Sequence, residues 1–222
     1  MARQTEATGI PRTPLSKERV LRAAIVLADT DGIESLTMRR LARELGVEAM
    51  SLYNHVANKD EILDGIVDVV VREIDLPSDE ADWKKAMRRS AISHRDVYVR
   101  HPWASSLSMS RQSGGPGRLR NGDWMLRTLR EAGFSEDLIY HAFHILEAYV
   151  LGFTVMNLNF PYKGEELASK AAGFLQQFPA DEYPDLVEHI KQHLEPRAGG
   201  EGGFELGLDL ILEGLEAARG HP

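Results

Sequence analysis

Apolar residues recur along most of this chain at the spacing of helices. Val20, Ala23, Ala24 and Leu27 fall at i, i+3, i+4 and i+7, and Met38, Leu41, Ala42 and Leu45 do the same. That spacing places each set on one side of a helix. Ile62, Leu63, Ile66, Val67, Val70, Val71 and Ile74 give a further helix, over 59–74, a broad apolar side. Helical patterning continues over about 82–99, 120–132, 135–158, 165–176, 182–193 and 204–219. No window alternates with period two for long enough to predict a strand. The pattern predicts an all-α protein.

Punctuation sharpens the first quarter. A helix begins after Ser16 and stops at Asp31-Gly32. Thr37 is suited to cap the second helix, and Gly46 to end it in a left-handed conformation that glycine adopts without steric cost. A short helix near 48–55 follows. Asn58 and Glu61 have the N-cap and N3 spacing of a capping box. Later breaks are expected at His101-Pro102, Ser113 to Gly117, Gly133, Phe160-Pro161, Phe178-Pro179 and Pro196 to Gly203. Residues 1–15, with Pro11 and Pro14, read as a flexible arm. The expected organisation is an arm at 1–15, a three-helix unit at 16–62 and a larger helical unit at 63–222.

Composition narrows the chemistry. With 222 residues, 43% of them hydrophobic, the chain can bury a sizeable core. It has no cysteine, which excludes disulfides, thiolate zinc sites and cysteine nucleophiles. No run of about 18 apolar residues is apparent, and the polar N-terminus lacks the apolar centre of a secretion signal. A cytoplasmic setting is expected. The formal net charge of -8 argues against nucleic acid only when taken whole. Residues 1–60 hold 9 Lys/Arg against 8 Asp/Glu, and residues 61–222 hold 17 against 26. Only the first quarter is able to offer phosphate a basic face.

That quarter contains GVEAMSLYNHVANKDEIL, residues 46–63. Three short helices, the second and third joined at Gly46, make a helix-turn-helix, whose third helix enters the major groove of DNA. Leu52 and Val56 are suited to the core, leaving Ala49, Ser51, Tyr53 and His55 for DNA. Lys59, beside a helix N-terminus, is placed to hold a phosphate. Arg39, on the second helix, is the candidate for a guanine edge.

The stretch LTMRRLARELGVEAMSLYNHVANKDEILD resembles the DNA-binding domain of the TetR family over about 50 residues, from Ser16 to about Asp68. The resemblance implies a homodimeric transcription regulator, usually a repressor, that binds an operator and is released by a small ligand. It places Thr37, Arg39, Ala49, Met50, Ser51, Tyr53, His55 and Lys59 at DNA-contact positions. Ala49 and Met50 stand where the tetracycline repressor has a Gln-Pro pair, so a different operator is expected.

The remainder resembles the ligand-binding domain of the tetracycline-repressor branch through SHRD at 93–96, His101, AGFS at 132–135, LGF at 151–153 and FELGLDLILEGLE at 204–216. Pocket positions are Met87, His101, Met125, Phe143 and Glu147, with Trp103 added as a neighbour. His101 matches a position that holds magnesium in that repressor. Ala104 and Met156 replace its threonine and glutamate companions, so neither a metal site nor a cofactor is expected. His94 and Asp96 read as surface groups. On the last helix Phe204, Leu208, Ile211, Leu212 and Leu215 form a stripe, and Gly207 and Gly214 invite close approach of another helix. The resemblance places this helix and that at 135–158 in a four-helix bundle between subunits.

An enzyme is not expected, since no G-x-S-x-G, H-E-x-x-H or phosphate-cradling glycine loop occurs. The competing reading is a helical adaptor or small-molecule-binding protein that has lost DNA binding.

Overall fold

The computed structural model describes residues 14–111, 114–162, 164–177, 179–194 and 202–220. Most of the expected arm, and the stretch from Glu195 to Glu201, lie outside the described residues. Within them the fold is all-α, with no strand. The helices are α1 (Lys17–Asp31), α2 (Met38–Leu45), α3 (Ala49–Leu52), α4 (Lys59–Val71), α5 (Trp83–Arg100), α6 (Pro102–Ser110), α7 (Pro116–Glu131), α8 (Glu136–Asn159), α9 (Gly164–Gln177), α10 (Pro184–Lys191) and α11 (Gly202–Arg219).

Two of these depart from the expected pattern. The whole of α6 lies in a stretch where no helix was expected, and α7 starts four residues early. Both begin with proline at the first helical position. There the missing N–H costs nothing and the fixed φ is already helical. His101-Pro102 and Gly115-Pro116 are therefore starts as well as stops. The stretch Gly114 to Gly117, expected as a break, ends inside α7, and Gly117 is buried.

The apolar faces assemble two cores. The first gathers α1, α2, α3 and α4, and includes Val97 and Tyr98 of α5 and Trp103 and Ala104 of α6. The second gathers α5, α7, α8 and α11 around Met87, Leu129, Leu146, Phe204 and Leu208. Leu76, after α4, packs against both. The first core thus continues past residue 62, the expected boundary, because α4 and α6 share it. Helices α9 and α10 pack chiefly on each other, and only Ala171 of the two is buried.

The stripe on α11 packs within the chain. Phe204, Leu208, Leu212 and Leu215 are buried in the second core, and Ile211 packs against it. Arg88 and Lys84 of α5 pair with Asp209 and Glu213 of α11 at 2.7 and 2.8 Å. A side chain at Gly207 would collide with the Tyr149 hydroxyl of α8, whereas Gly214 faces open space. Leu206 and Leu210 are exposed on the outer side. So are Tyr140, Ile145 and Met156 of α8. Although the sequence shows no obvious span, α8 is long and apolar enough to cross a membrane by length and composition, and 28% of its apolar window is buried.

Candidate nucleic-acid interface and effector cavity

Local hydrogen bonds fix the geometry of the N-terminal unit. The Thr37 hydroxyl accepts the Arg40 N–H and caps α2. At the other end Gly46 takes φ 66°, ψ 36°. Its N–H and that of Val47 satisfy the last carbonyls of α2, the Val47 N–H reaching Ala42 at 3.0 Å. Any side chain at Gly46 would be strained in this left-handed conformation. The turn directs the chain into α3, which is four residues long rather than the eight expected. Tyr53, Asn54 and His55 continue it as a hydrogen-bonded turn, with the His55 and Val56 N–H groups bonded to the Leu52 carbonyl.

Leu52 and Val56 anchor this segment in the first core. Met50 and Tyr53 are exposed, while Ala49, Ser51 and His55 are half-buried. At the start of α4, Asn58 accepts the Glu61 N–H at 2.8 Å, and the Glu61 carboxylate reaches back to the Ala57 N–H at 2.6 Å. That backbone bond, then Lys17, holds the Glu61 carboxyl below its ordinary pKa. Lys59 projects from the first position of the helix so capped and is exposed.

Cations on this surface divide into two groups. Arg40 is committed to Asp31, Lys17 to Glu61 and Arg22 to Glu18. Arg39, Arg43 and Lys59 are exposed and make no ion pair among the described residues. They flank Thr37, Ala49, Met50, Ser51, Tyr53 and His55. An exposed helix-turn segment with three free cations suits phosphate positioning and base reading. Arg43 was missed in the sequence, although Arg39 and Arg43 are one helical turn apart.

The C-terminal unit holds a narrow cavity between α5, α7 and α8. Met87, Ala91, Met125, Leu146 and Val150 form apolar walls, and Ser90, His94, Asn121 and Glu147 add polar groups. His94 is buried, not a surface group as expected, whereas Asp96 is exposed and pairs with Arg95. The buried stripe of α5 runs Trp83, Met87, Ser90, Ala91, His94, Val97, Tyr98. The helical period that carries Met87 inward carries His94 with it. Burial, then the Arg118 charge, lowers the His94 pKa to about 4. Burial also raises that of Glu147, against the field of Arg118 and His144.

Of the expected pocket residues, Met87, Met125 and Glu147 meet at this cavity and three do not. Phe143 packs against the second core. His101 and Trp103 lie at the junction of α5 and α6, aimed at α1. Asp29 of α1 accepts the Trp103 indole N–H at 2.6 Å and stands 2.8 Å from His101 Nδ1. His101 Nε2 lies 3.6 Å from Glu73, just past α4. At the end of α5 the chain has passed the cavity and reached the N-terminal unit.

Carboxylates of α4 link the two ends. Arg111, after α6, donates to Asp64 at 2.6 Å and Asp60 at 3.1 Å. Asp68, one turn on, is buried, accepts the Gly117 N–H at 2.6 Å and pairs with Arg72. A Cβ at Gly117 would lie 2.6 Å from the Asp68 carbonyl oxygen, so glycine here permits α7 to rest on α4. Asp60, Asp64 and Asp68 at i, i+4 and i+8 are legible as one face, but their partners are not.

Comparison with known proteins decides the family. Residues 20–66 match the family model described as bacterial regulatory proteins, tetR family, and residues 76–219 match that of the tetracyclin repressor-like C-terminal domain. The chain is 36% identical to the HTH-type transcriptional repressor DrrR1 of Streptomyces coeruleorubidus, across 93% of this chain and 79% of that one. The chain belongs to the TetR family.

It is accordingly a ligand-responsive, DNA-binding transcriptional regulator. Among solved structures it is similar to the TetR family protein ActR of Streptomyces coelicolor in complex with actinorhodin. The TM-score there is 0.80 at 29% identity, over 94% of this chain and all of that one. It is also similar to BioQ with its double-stranded DNA operator, with TM-score 0.63 and 31% identity over 92% of this chain and 99% of that one. In this TetR family member the magnesium position is occupied differently: His101 is engaged by Asp29, Ala104 is fully buried and Met156 is exposed. Among the described residues no group of three His, Asp or Glu is placed to hold a metal ion.

Proposed function

We propose that this chain binds a palindromic operator as a homodimer, represses from it, and is released when a small molecule enters the cavity between α5, α7 and α8. One observation carries the reading. Helix α4 is capped against the recognition segment at Asn58 and tied by Asp60, Asp64 and Asp68 to Arg111 and Gly117, beside the cavity. Movement of α6 or α7 on ligand entry is therefore imposed on α4, and α4 sets the position of Ala49 to His55.

The outer faces of α8 and α11 support the dimer. Ile145 and Met156 of α8, on one side of the helix, and Leu206 and Leu210 of α11 are exposed, and exposed apolar groups of this kind mark an interaction site. Gly214 leaves room for a partner helix. Pairing through this surface accounts for the apolar length of α8 without a membrane. In the dimer, two recognition segments meet successive major grooves only when about 34–36 Å apart, and a ligand that alters this spacing releases the DNA. Linkage then requires operator DNA to weaken ligand binding by the same factor.

Arg39 is assigned to a base edge of the half-site, Arg43, Thr37, Ser51, Tyr53, His55 and Lys59 to its backbone, and Ala49 and Met50 to apolar contact such as a thymine methyl. No enzymatic activity is assigned, and the site of action is the cytoplasm.

Selection of bound duplexes from a random pool tests the reading. A palindromic consensus is expected, bound by a protein of dimeric mass. A folded dimer that enriches no sequence would favour the helical adaptor instead. Arg111→Ala isolates the coupling. It is expected to retain effector binding and to need roughly tenfold more effector for release, a coupling loss of about 1.4 kcal/mol. Unchanged release would remove Arg111 from the mechanism.

A further inference from the structure

Among the described residues, two buried side-chain atoms lack a hydrogen-bond partner, Ser35 Oγ and His94 Nε2. His94 lines the cavity between α5, α7 and α8. We propose that His94 is the polar anchor of the effector, and that the effector is an uncharged, mainly apolar molecule whose hydroxyl meets Nε2. This rests on the reading of that cavity as the effector site.

The chemistry follows from the surroundings. His94 is 7% exposed, and a buried polar group without a partner is costly. It persists where a water or a ligand supplies the missing bond, and the cavity, about 10 Å³ in this structure, has room for a water and must widen to admit the effector. Burial holds its pKa near 4, so the ring is neutral at pH 7. A neutral imidazole nitrogen carries either a lone pair or a proton, according to tautomer, and a hydroxyl both donates and accepts.

The walls set the rest of the molecule. Met87, Met125, Leu146 and Val150 demand an apolar body, and the two thioether side chains adapt to its shape. An anion would meet Glu147, and a cation would meet the field of Arg118, which acts on both His94 and Glu147. Because Arg118 also acts on Glu147, the two fields oppose each other and neither sign of charge is favoured, which selects an uncharged molecule.

The same anchor reaches the DNA-reading end. The His94 ring lies 4.7 Å from that of Tyr98, whose hydroxyl donates to Ser108 of α6 at 3.0 Å. Ser108 is three residues before Arg111, which holds Asp64 and Asp60 of α4. A hydroxyl seated on His94 bears on the packing that positions α6.

The test uses matched probes that share a body and differ in one group: 4-phenylphenol, biphenyl, 4-phenylbenzoate and 4-phenylbenzylamine, and 2-naphthol with its parent, acid and amine. Binding is read on the full-length dimer by tryptophan fluorescence. The hydroxylated probes should bind at least about tenfold more tightly than the others, because a site built around a hydroxyl penalises analogues without one. His94→Phe should reduce that preference to below about twofold, and His94→Gln, which keeps donor and acceptor, should retain part of it. Melting curves establish that each variant is folded. Tightest binding by an acid or amine, a preference that survives in His94→Phe, or no binding by any probe would overturn the proposal. Operator selection without probe is scored separately. A protein that binds DNA without hydroxyl preference loses this assignment alone, and one that shows the preference without binding DNA loses the regulator reading alone.

Discussion

The DNA-reading end and the sensing end of this molecule use polar residues in opposite ways. Around α2 and α3, polar groups either finish a helix or stand in solvent. Thr37 and Asn58 cap helices, and Arg39, Arg43 and Lys59 are exposed and unpaired among the described residues. Around α5, α7 and α8, polar groups are enclosed. Ser90, His94 and Asn121 are each less than a tenth exposed. A surface that meets phosphate needs charge that water has kept available. A cavity that selects a small molecule needs few polar groups, placed where an unmade bond is expensive. Free charge at one end and buried neutrality at the other are two answers to one problem, recognition of a partner absent from the folded chain.

The largest expected effect breaks the comparison by removing what joins the two ends. Ile66 of α4 is fully buried in the first core, so Ile66→Ala should cost about 2–5 kcal/mol. Chemical denaturation should show it, and operator affinity should fall with stability. A loss under about 1 kcal/mol would mean that α4 is not the structural link.

Next is the pH dependence of the sensing end. The folded pKa of His94 is depressed to about 4 from 6.5. Both states are neutral above pH 7, and the unfolded chain takes up a proton first as pH falls. The stability associated with neutral His94 is therefore complete above about pH 6.5 and lost as pH falls toward 4, by about 3 kcal/mol in total. Acid also protonates Glu61 and Glu136, whose pKa values are lowered, and this destabilises in the same direction. The measurement is thus the difference in slope between wild type and His94→Phe from pH 7 to 4. Parallel slopes would show that His94 is not held neutral by burial.

The DNA-reading end gives smaller, sharper effects. Arg39→Ala should cost about 1–3 kcal/mol and relax preference at one base pair per half-site, as read by competition among single-base operator variants. Lys59→Ala should weaken all sequences alike and reduce the salt slope by about 1 for each phosphate that Lys59 neutralises. A change of base preference in Lys59→Ala would exchange the roles assigned to the two cations.

Much of the DNA-reading end was legible because its signals are local. A cap is read three residues along the chain and a glycine turn within one. Even so, α3 ends earlier than the spacing suggested, because Tyr53 to His55 close as a turn on the Leu52 carbonyl. The sensing end was legible in outline only. Met87, Met125 and Glu147 reach the cavity, but His101 and Trp103 are drawn away by Asp29, a carboxylate 72 residues from His101 in sequence. His94 was misread as a surface group although it occupies the buried period of α5. Polarity suggested the outside, and periodicity was the better guide.

The sequence alone determined the helical class, the turn at Gly46, the caps at Thr37 and Asn58, and the concentration of usable positive charge in the first quarter. Each depends on backbone preference or on residues within a turn of each other. Only the tertiary structure decided that Arg111 and Gly117 bind the acidic face of α4, that His101 serves the junction rather than the cavity, and that His94 Nε2 is enclosed without a partner. Those outcomes depend on which helix packs against which. Burial, which sets the cost of a polar group and the pKa of a histidine, is created by distant segments and has no local signature.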